Sequence, residues 1–236
     1  NADGSVTALR PTPGGSLSEP DAINDSNVAA GFCNDVEGTM RAVKWSANGT
    51  PSALFGLPGE VWGRAWDINN AGVVVGHSST ADGMHAVRWS AGGTITRLRE
   101  IAGNPWSQAY GINGSGVVVG AVYGPAPDYV STPVRWSATN TVTTLRMPAG
   151  YNYAEAIAIN AGGTIVGHAS NGLGGNQVAV KWNPDGSVVV LGTLPGDSAS
   201  GASDINTGGT AVGDSYVSFS PEHPVKWSPS GAISPL

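Results

Sequence analysis

The sequence predicts an all-β protein made of five copies of one short unit. An Ile-Asn pair precedes a run of small or β-branched residues five times, and its asparagines are Asn24, Asn69, Asn113, Asn160 and Asn206. A basic residue followed by tryptophan recurs with the same spacing, at Trp45, Trp89, Trp136, Trp182 and Trp227. Because two independent markers keep one period, the chain consists of five repeats of about 46 residues that cover residues 1–236.

Each repeat has the composition of four short strands. In the second repeat these are Arg64–Ile68, Val73–Ser78, His85–Trp89 and Thr94–Leu98, rich in Val, Ile, Thr and Trp and separated by Gly, Asn, Asp and Ser. One four-stranded antiparallel sheet cannot bury both of its faces alone. Packing the copies around an axis solves this problem, so we predict a single domain that is a five-bladed β-propeller, with four antiparallel strands per blade.

The Ile-Asn motif has an architectural explanation. The Asn69 side chain can bond to the backbone two residues further on in an Asx-turn, and Gly72 supplies the left-handed backbone that closes the hairpin. The first repeat has Asn27 where the others have glycine, and Asn tolerates a positive φ next best. Gly76, at the end of the valine run, predicts a close backbone approach. The equivalent turn glycines are Gly116, Gly163 and Gly209.

The repeated tryptophan allows two interpretations. Five equivalent rings could form five sugar-stacking sites, or each ring could fill the wedge between neighbouring blades. Its strict repetition within an alternating apolar strand favours packing, with the preceding Lys or Arg lying over the ring or pointing to solvent.

Composition excludes several classes of protein. The net charge is −6, and five of the 11 Lys and Arg residues occupy the slot before the tryptophan, which leaves too few for a nucleic-acid groove. No apolar run approaches the roughly 18 residues that span a bilayer, so we expect no membrane span. The single cysteine, Cys33, excludes an internal disulfide and is expected to be a small buried hydrophobe.

The two ends of the chain both offer the outer strand of the last blade. Five repeats need five fourth strands, but six segments have the pattern of one. The extra candidate arises because both termini, Gly4–Leu9 and Gly231–Leu236, have this pattern. We expect the termini to close the propeller by pairing Val6–Leu9 beside Val225–Ser228, with the C-terminal strand as a competitor.

The repeat resembles the HAF-repeat family of extracellular bacterial proteins. The resemblance rests on the A-x-x-I-N-x-x-G-x-V-V-G-x-S pattern, on HAVRW at His85–Trp89, where Val replaces the Phe of the family name, and on LGTLPGDSASGASDIN at Leu191–Asn206. It covers all five copies and implies a secreted protein, but it implies no catalytic residues.

Candidate binding residues lie where the repeats differ. The links into the second, third and fourth repeats carry aromatic residues, as do nearby first-strand and loop positions, and polar side chains lie beside them. The candidates are Trp62, Arg64, Trp66, Trp106, Gln108, Tyr110, Tyr123, Asp128, Tyr129, Tyr151, Tyr153 and Glu155. We expect the rings of Trp62, Trp106 and Tyr151 to be largely exposed on one face of the propeller.

An exposed aromatic cluster edged with polar groups is typical of glycan recognition. We therefore predict a secreted, monomeric carbohydrate-binding module that needs no cofactor. Two alternatives stay open: a glycoside hydrolase or lyase that uses Glu19, Asp21, Glu155 or Glu60, and a protein-interaction scaffold. His77 and His168 follow the second-strand glycine, where we expect solvated side chains, and no HxH or HExxH spacing predicts a metal.

Overall fold

The part of the chain that the structure describes is all-β and forms twenty strands in five four-stranded sheets. The structure, a computed structural model, describes residues 6–125, 130–172, 175–217 and 221–236. Asp128 and Tyr129, two of the predicted binding residues, lie outside the described residues. Every sheet consists of four strands that are consecutive in the chain, as the blade prediction requires.

The strands fall close to the positions that the repeats predict. The first sheet is β1 (Ser18–Ile23), β2 (Ala29–Asn34), β3 (Met40–Trp45) and β4 (Pro51–Ala53). The second is β5 (Trp62–Ile68), β6 (Val74–Thr80), β7 (Gly83–Trp89) and β8 (Ile95–Arg97). The third is β9 (Trp106–Ile112), β10 (Val118–Tyr123), β11 (Ser131–Trp136) and β12 (Val142–Thr144). The fourth is β13 (Tyr153–Ile159), β14 (Ile165–Ser170), β15 (Val178–Trp182) and β16 (Val188–Val190). The fifth is β17 (Ala199–Ile205), β18 (Ala211–Tyr216), β19 (His223–Trp227) and β20 (Ile233–Pro235).

The chain divides into two compact units. Unit 1 comprises Asn1–Leu98 and Ser107–Gly116, and unit 2 comprises Arg99–Trp106 and Val117–Leu236. One apolar cluster of unit 1 contains Ile68, Val74 and Trp89, and one of unit 2 contains Ile205, Val225 and Trp227. That the chain is a single domain stays a prediction.

The turn after the first strand has the predicted geometry. Asn69 Oδ1 accepts bonds from the backbone N–H of Ala71 and Val73, and Gly72 has a φ of 76°. Asn27, which replaces the glycine in the first repeat, has a φ of 58°. The structure adds a contact that the sequence did not predict: Asn69 Nδ2 donates to the carbonyl of Asn113, in the next repeat. The asparagine therefore joins neighbouring sheets as well as shaping its own turn.

The repeated tryptophan is a packing residue, and this prediction is confirmed. Trp89 is fully buried, and its Nε1 donates to the carbonyl of Phe55 at 2.8 Å, in the link from the preceding sheet. Lys44, in the slot before Trp45, donates to the carbonyl of Ala91 in the next repeat. Cys33 is buried as expected. The other buried tryptophans are Trp45, Trp136, Trp182 and Trp227.

The expected pairing of the termini is not confirmed. Val225 of β19 pairs with Gly213 on one side and with Pro235 of β20 on the other. An antiparallel strand offers two edges, and both edges of β19 are occupied by strands of its own sheet. The place beside Val225–Ser228 that we expected Val6–Leu9 to fill is therefore taken by the C-terminal strand.

The N-terminal segment instead contacts the first sheet. Residues 6–10 form no strand, and Leu9 packs against the cluster that contains Trp45. The carbonyl of Arg10 accepts a bond from Trp45 Nε1 at 2.7 Å, as the carbonyl of Phe55 does from Trp89. In the other repeats the buried tryptophan bonds to the segment that joins its sheet to the preceding one. In the first repeat the N-terminal segment takes that place.

Candidate functional site

A β-bulge in the first strand of the repeat places the most variable residue. In the second sheet Ala65 pairs with Gly76 and Asp67 with Val75, so Trp66 is the extra residue that opposes none. A bulge bends its strand and re-aims the side chain it carries. The same register shift recurs in the first, fourth and fifth sheets, where the bulged residues are Asp21, Ile157 and Ser203.

Two residues before the bulge, a second variable position faces a variable partner on the next strand. Arg64 lies opposite His77 in unit 1, and Glu155 lies opposite His168 in unit 2. The repeat therefore brings its non-repeated side chains together in cross-strand pairs. Two polar and aromatic clusters result, one in each unit.

The Arg64 cluster of unit 1 consists of a guanidinium held by two carboxylates and two rings. Arg64 Nε donates to Asp21 Oδ2 at 3.0 Å, and Arg64 Nη2 donates to Glu19 Oε1 at 3.0 Å. The guanidinium carbon lies 4.0 Å from the Trp66 ring centroid and 4.7 Å from that of Phe32, within cation–π distance.

The electrostatics of the Arg64 cluster follow from this partial burial. Burial opposes the charge of Arg64, but its bonds to Asp21 and the charges of Asp21 and Glu19 outweigh that effect and raise the Arg64 pKa. Burial also raises the pKa of Asp21, against the lowering effect of Arg64. With one cation and two carboxylates, the cluster carries a formal charge of about −1 at neutral pH.

His77 lies beneath the aromatic part of this cluster. It is 2% exposed, and its Nδ1 accepts a bond from Trp66 Nε1 at 3.2 Å. Because an indole N–H can only donate, His77 Nδ1 carries no proton, and the neutral ring has its proton on Nε2. Burial, reinforced by the charge of Arg64, lowers the pKa of His77 to about 4. Within the described residues, His77 Nε2 has no hydrogen-bond partner.

Two tryptophan rings lie close to the His77 ring. The Trp62 ring meets the His77 ring edge-on, with centroids 4.6 Å apart and an interplanar angle of 74°. Trp66 contacts Tyr110 in a second edge-on pair at 6.0 Å. Trp62 keeps 38% of its surface exposed, whereas Trp66 and Tyr110 are half-buried. Unit 1 therefore presents an aromatic surface beside the Arg64 ion pairs.

The Glu155 cluster of unit 2 has a different chemistry at the equivalent strand position. Glu155 is 8% exposed, and its Oε1 accepts bonds from the hydroxyls of Tyr123 and Tyr153, both at 2.8 Å. Its Oε2 lies 3.5 Å from His168 Nε2. Burial and the neighbouring carboxylate raise the pKa of Tyr153, so the phenol stays a donor. Burial lowers the pKa of His168, although Glu155 acts in the opposite direction.

The other predicted residues have varied places. Trp106 and Gln108 are half-buried in β9. Tyr151 is half-buried against an apolar cluster of unit 2 that contains Trp182, so its ring is not the largely exposed one that we expected. Trp106 is likewise not largely exposed, and Trp62, with 38% of its surface exposed, is the most accessible of the three rings. A single aromatic face shared by three repeats stays a prediction.

Three of the four carboxylates of the enzyme alternative make bonds to protein side chains of unit 1. Glu19 and Asp21 bind Arg64, and Glu60 accepts a bond from the Ser78 hydroxyl at 2.6 Å. Glu60 also lies 3.4 Å from Arg41 and has a side chain only 9% exposed, so it is a structural residue. Among the described residues, no three His, Cys, Asp or Glu side chains group in a way that could hold a metal.

Sequence reasoning misjudged the histidines and missed Phe32. The side chain of His77 is buried and that of His168 is 17% exposed, so the expectation that both are solvated is wrong. Both follow the repeated glycine of the second strand, which places them opposite Arg64 and Glu155. Phe32 occupies the same position in the first repeat, opposite Glu19. The register of the first two strands was the signal that could have found all three.

Comparison with solved structures shows the fold. The chain is similar to TolB from Acinetobacter baumannii (TM-score 0.62, 14% identity), and covers 52% of that protein with 89% of its own length. It is also similar to virginiamycin B lyase from Staphylococcus aureus (TM-score 0.60, 14% identity; 92% of this chain and 69% of that one). A third is the β-propeller domain of the Trilobed protease from Pyrococcus furiosus, which has an open velcro topology (TM-score 0.60, 11% identity; 93% and 70%).

These likenesses are of fold alone. The chain spans about half the length of the A. baumannii TolB that it resembles. No family model matches the sequence, and no curated protein matches it either. Among the described residues, no helix has the length and apolar character needed to cross a bilayer. Five four-stranded antiparallel sheets and these structural neighbours identify the chain as a β-propeller with five blades.

Proposed function

We propose that this protein is a secreted carbohydrate-binding module and that the Arg64 cluster is part of its binding surface. The observation that carries the proposal is the exposed Trp62 ring beside the half-buried Trp66 and Tyr110 and the Arg64 ion pairs. Aromatic rings stack on the apolar faces of sugars, and the neighbouring carboxylates and guanidinium bind hydroxyl groups.

The geometry supports binding because the polar partners are held in place before a ligand arrives. Two carboxylates and two rings fix the Arg64 guanidinium, and Trp62 rests on the buried His77. A surface that is already ordered loses little conformational entropy on binding. Glu19 keeps 53% of its side chain exposed, so it can contact a ligand while it holds Arg64.

The secreted location is part of the proposal and rests on the resemblance to HAF-repeat proteins. Membership of that family is supported by the repeat pattern in all five copies. A monomeric state belongs to the same proposal.

A glycan-binding screen with matched variants tests the proposed function. The probes are neutral oligosaccharides and polysaccharides, and titration calorimetry measures the dissociation constants of those that bind. Replacing Trp62 by Ala should weaken binding by about tenfold or more, since aromatic anchors dominate recognition surfaces. The free energy of unfolding should fall by no more than about 1 kcal/mol, because the ring is partly solvated.

Phe55→Ala is the matched control. Phe55 is an aromatic residue of unit 1 with 80% of its surface exposed, and it serves Trp89 through its backbone carbonyl, which the substitution keeps. The proposal predicts unchanged affinity for this variant. Absence of binding to every probe, or equal losses in the two variants, would contradict it. Release of reducing ends during the screen would instead favour the enzyme alternative.

A further inference from the structure

The Glu155 carboxylate is held in one orientation and has a second oxygen with bonding capacity left. Both phenols donate to Oε1, which fills the two acceptor positions of that atom. Among the described residues, Oε2 contacts His168 Nε2 at 3.5 Å, the outer limit of a hydrogen bond. The protein thus fixes the carboxylate through one oxygen and leaves the other able to accept.

The carboxylate is buried without a cationic side chain to neutralise it. Within the described residues of unit 2, its ion contact is with His168 rather than with a lysine or arginine. Burial keeps that imidazole neutral near pH 7 by lowering its pKa. A buried carboxylate oxygen that has no cation beside it is a stronger acceptor for a charged N–H donor than for a neutral hydroxyl.

In unit 1, the carboxylates that lie near aromatic rings have a cation as their partner. There Asp21 and Glu19 bind the guanidinium of Arg64, and that cation lies over the rings of Trp66 and Phe32. In the fourth repeat the chain has Glu155 at the strand position of Arg64, and the hydroxyls of two phenols bond to it. Both clusters contain a carboxylate and aromatic rings. In unit 1 the chain itself supplies the cation, as Arg64, whereas the described residues of unit 2 supply none to Glu155.

We propose that Glu155 binds the ammonium group of a ligand, with Glu155 Oε2 as the acceptor. A charged N–H donor forms a shorter and stronger bond to a carboxylate than a hydroxyl does, and the phenol rings of Tyr123 and Tyr153 add cation–π attraction. Resting on the proposed carbohydrate-binding function, this inference identifies the ligand class as an oligosaccharide that carries amino groups. An acidic sugar group beside Glu155 is disfavoured, because two carboxylates would then compete for the same neutral donors.

The first test uses a small ammonium probe and needs no sugar. Ethylammonium chloride is titrated into the protein near neutral pH while NMR follows the His168 ring signals, which a His168→Asn variant assigns. Sodium chloride at equal concentration and ethanol are the controls. We expect a saturable shift with ethylammonium alone, and no such shift in Glu155→Gln, which keeps the size of the side chain. A wild-type response equal to that of sodium chloride, or an unchanged response in Glu155→Gln, overturns the inference.

The second test compares three tetrasaccharides that differ in charge. These are β-1,4-linked glucosamine, its N-acetylated form and galacturonate, at a pH that keeps the amines protonated. The wild type should bind the amino form about tenfold or more tightly than the N-acetylated form. Glu155→Gln should lose this preference and keep its affinity for the N-acetylated form.

Glu222→Gln is the charge-matched control. Glu222 is exposed in unit 2, so its substitution removes one negative charge and should keep the preference for the amino sugar. Equal wild-type affinities for the amino and N-acetylated forms would refute the inference while supporting the proposed function. Binding of no tetrasaccharide together with a saturable ethylammonium shift would refute the proposed function and support the ammonium site.

Discussion

At the residue scale, His77 shows how burial and one hydrogen bond decide a protonation state. Burial beside the Trp62 and Trp66 rings deprives an imidazolium of water, and the charge of Arg64 repels it. The bond from Trp66 Nε1 requires a bare Nδ1 and so disfavours the doubly protonated ring. The histidine therefore supports the rings of the proposed site as a neutral side chain.

The pH dependence of stability follows from this depressed pKa. Below its ordinary value of 6.5, His77 takes up a proton in the unfolded chain but not in the folded one until pH approaches about 4. The unfolded state therefore binds more protons across that window, and stability falls as pH drops from 6.5 to about 4, by about 3 kcal/mol from this group. Urea unfolding at a series of pH values measures the change.

His77→Gln is the comparison for this titration. The variant should be less stable at neutral pH but should lose less stability between pH 6.5 and 4, because the titrating group is gone. Parallel pH curves for the two proteins would show that His77 does not carry the effect.

At the element scale, the second-strand glycine and the first-strand bulge together determine the path of the first strand. A Cβ on Gly76 would lie 2.0 Å from the carbonyl oxygen of Arg64 and 2.9 Å from Cα of Ala65. The glycine therefore lets the backbone of β5 approach β6 just before the bulge that carries Trp66. The close approach that the sequence predicted is confirmed, and it lies at the bulge. Gly31, Gly167 and Gly213 make the same close approach to their first strands.

Alanine substitution at two glycines tests whether this close backbone approach is needed for stability and binding. Gly76→Ala should lower the free energy of unfolding by roughly 3 kcal/mol, since the clash is with backbone that cannot rotate away. It should also weaken ligand binding, because Arg64 moves with its carbonyl. Thermal and urea unfolding, together with the glycan titration, measure both effects.

Gly92→Ala is the matched control in the same sheet. Gly92 lies in the turn before β8, its φ is not positive, and the nearest atom to an added Cβ is 3.9 Å away. Its stability should change by no more than about 0.5 kcal/mol. Equal losses at the two glycines would show that the clash at Gly76 does not explain the effect.

At the scale of the whole molecule, repeated side chains carry the contacts from one sheet to the next. Within unit 1, Asn24 donates to the carbonyl of Asn69, and Asn69 donates to that of Asn113. Within unit 2, Asn160 donates to the carbonyl of Asn206. The buried tryptophans make the second set of such bonds. Within each unit, neighbouring sheets therefore depend on one another for buried polar contacts.

Deletion of one repeat tests this dependence. Removing residues 69–112 places Asn113 where Asn69 was, and keeps every remaining motif in order. The angle between neighbouring blades of a propeller depends on the number of blades, so four repeats would have to repack. We expect loss of cooperative unfolding in calorimetry. A soluble four-repeat protein with one sharp unfolding transition would contradict this prediction.

The sequence by itself determined the repeated architecture. The period, the four strands, the Asn turn with its positive-φ residue and the buried tryptophan all follow from local patterns that recur five times, and local chemistry decides them. It also directed attention to Arg64, Trp66 and Glu155, because these positions depart from the repeat.

Only the tertiary structure decided what those side chains do. The carboxylates that bind Arg64, and the Tyr123 hydroxyl that binds Glu155, come from the preceding repeat, so these contacts depend on packing between sheets. The tryptophan rings beside His77 come from the paired strand β5, and the pKa of His77 follows mainly from its burial. The sequence also could not predict which terminal segment pairs with β19. The N-terminal and C-terminal segments have the same strand pattern, and β19 has one edge left after it pairs with β18. Local pattern specifies the elements, whereas the environment of a charge is set by residues distant in the chain.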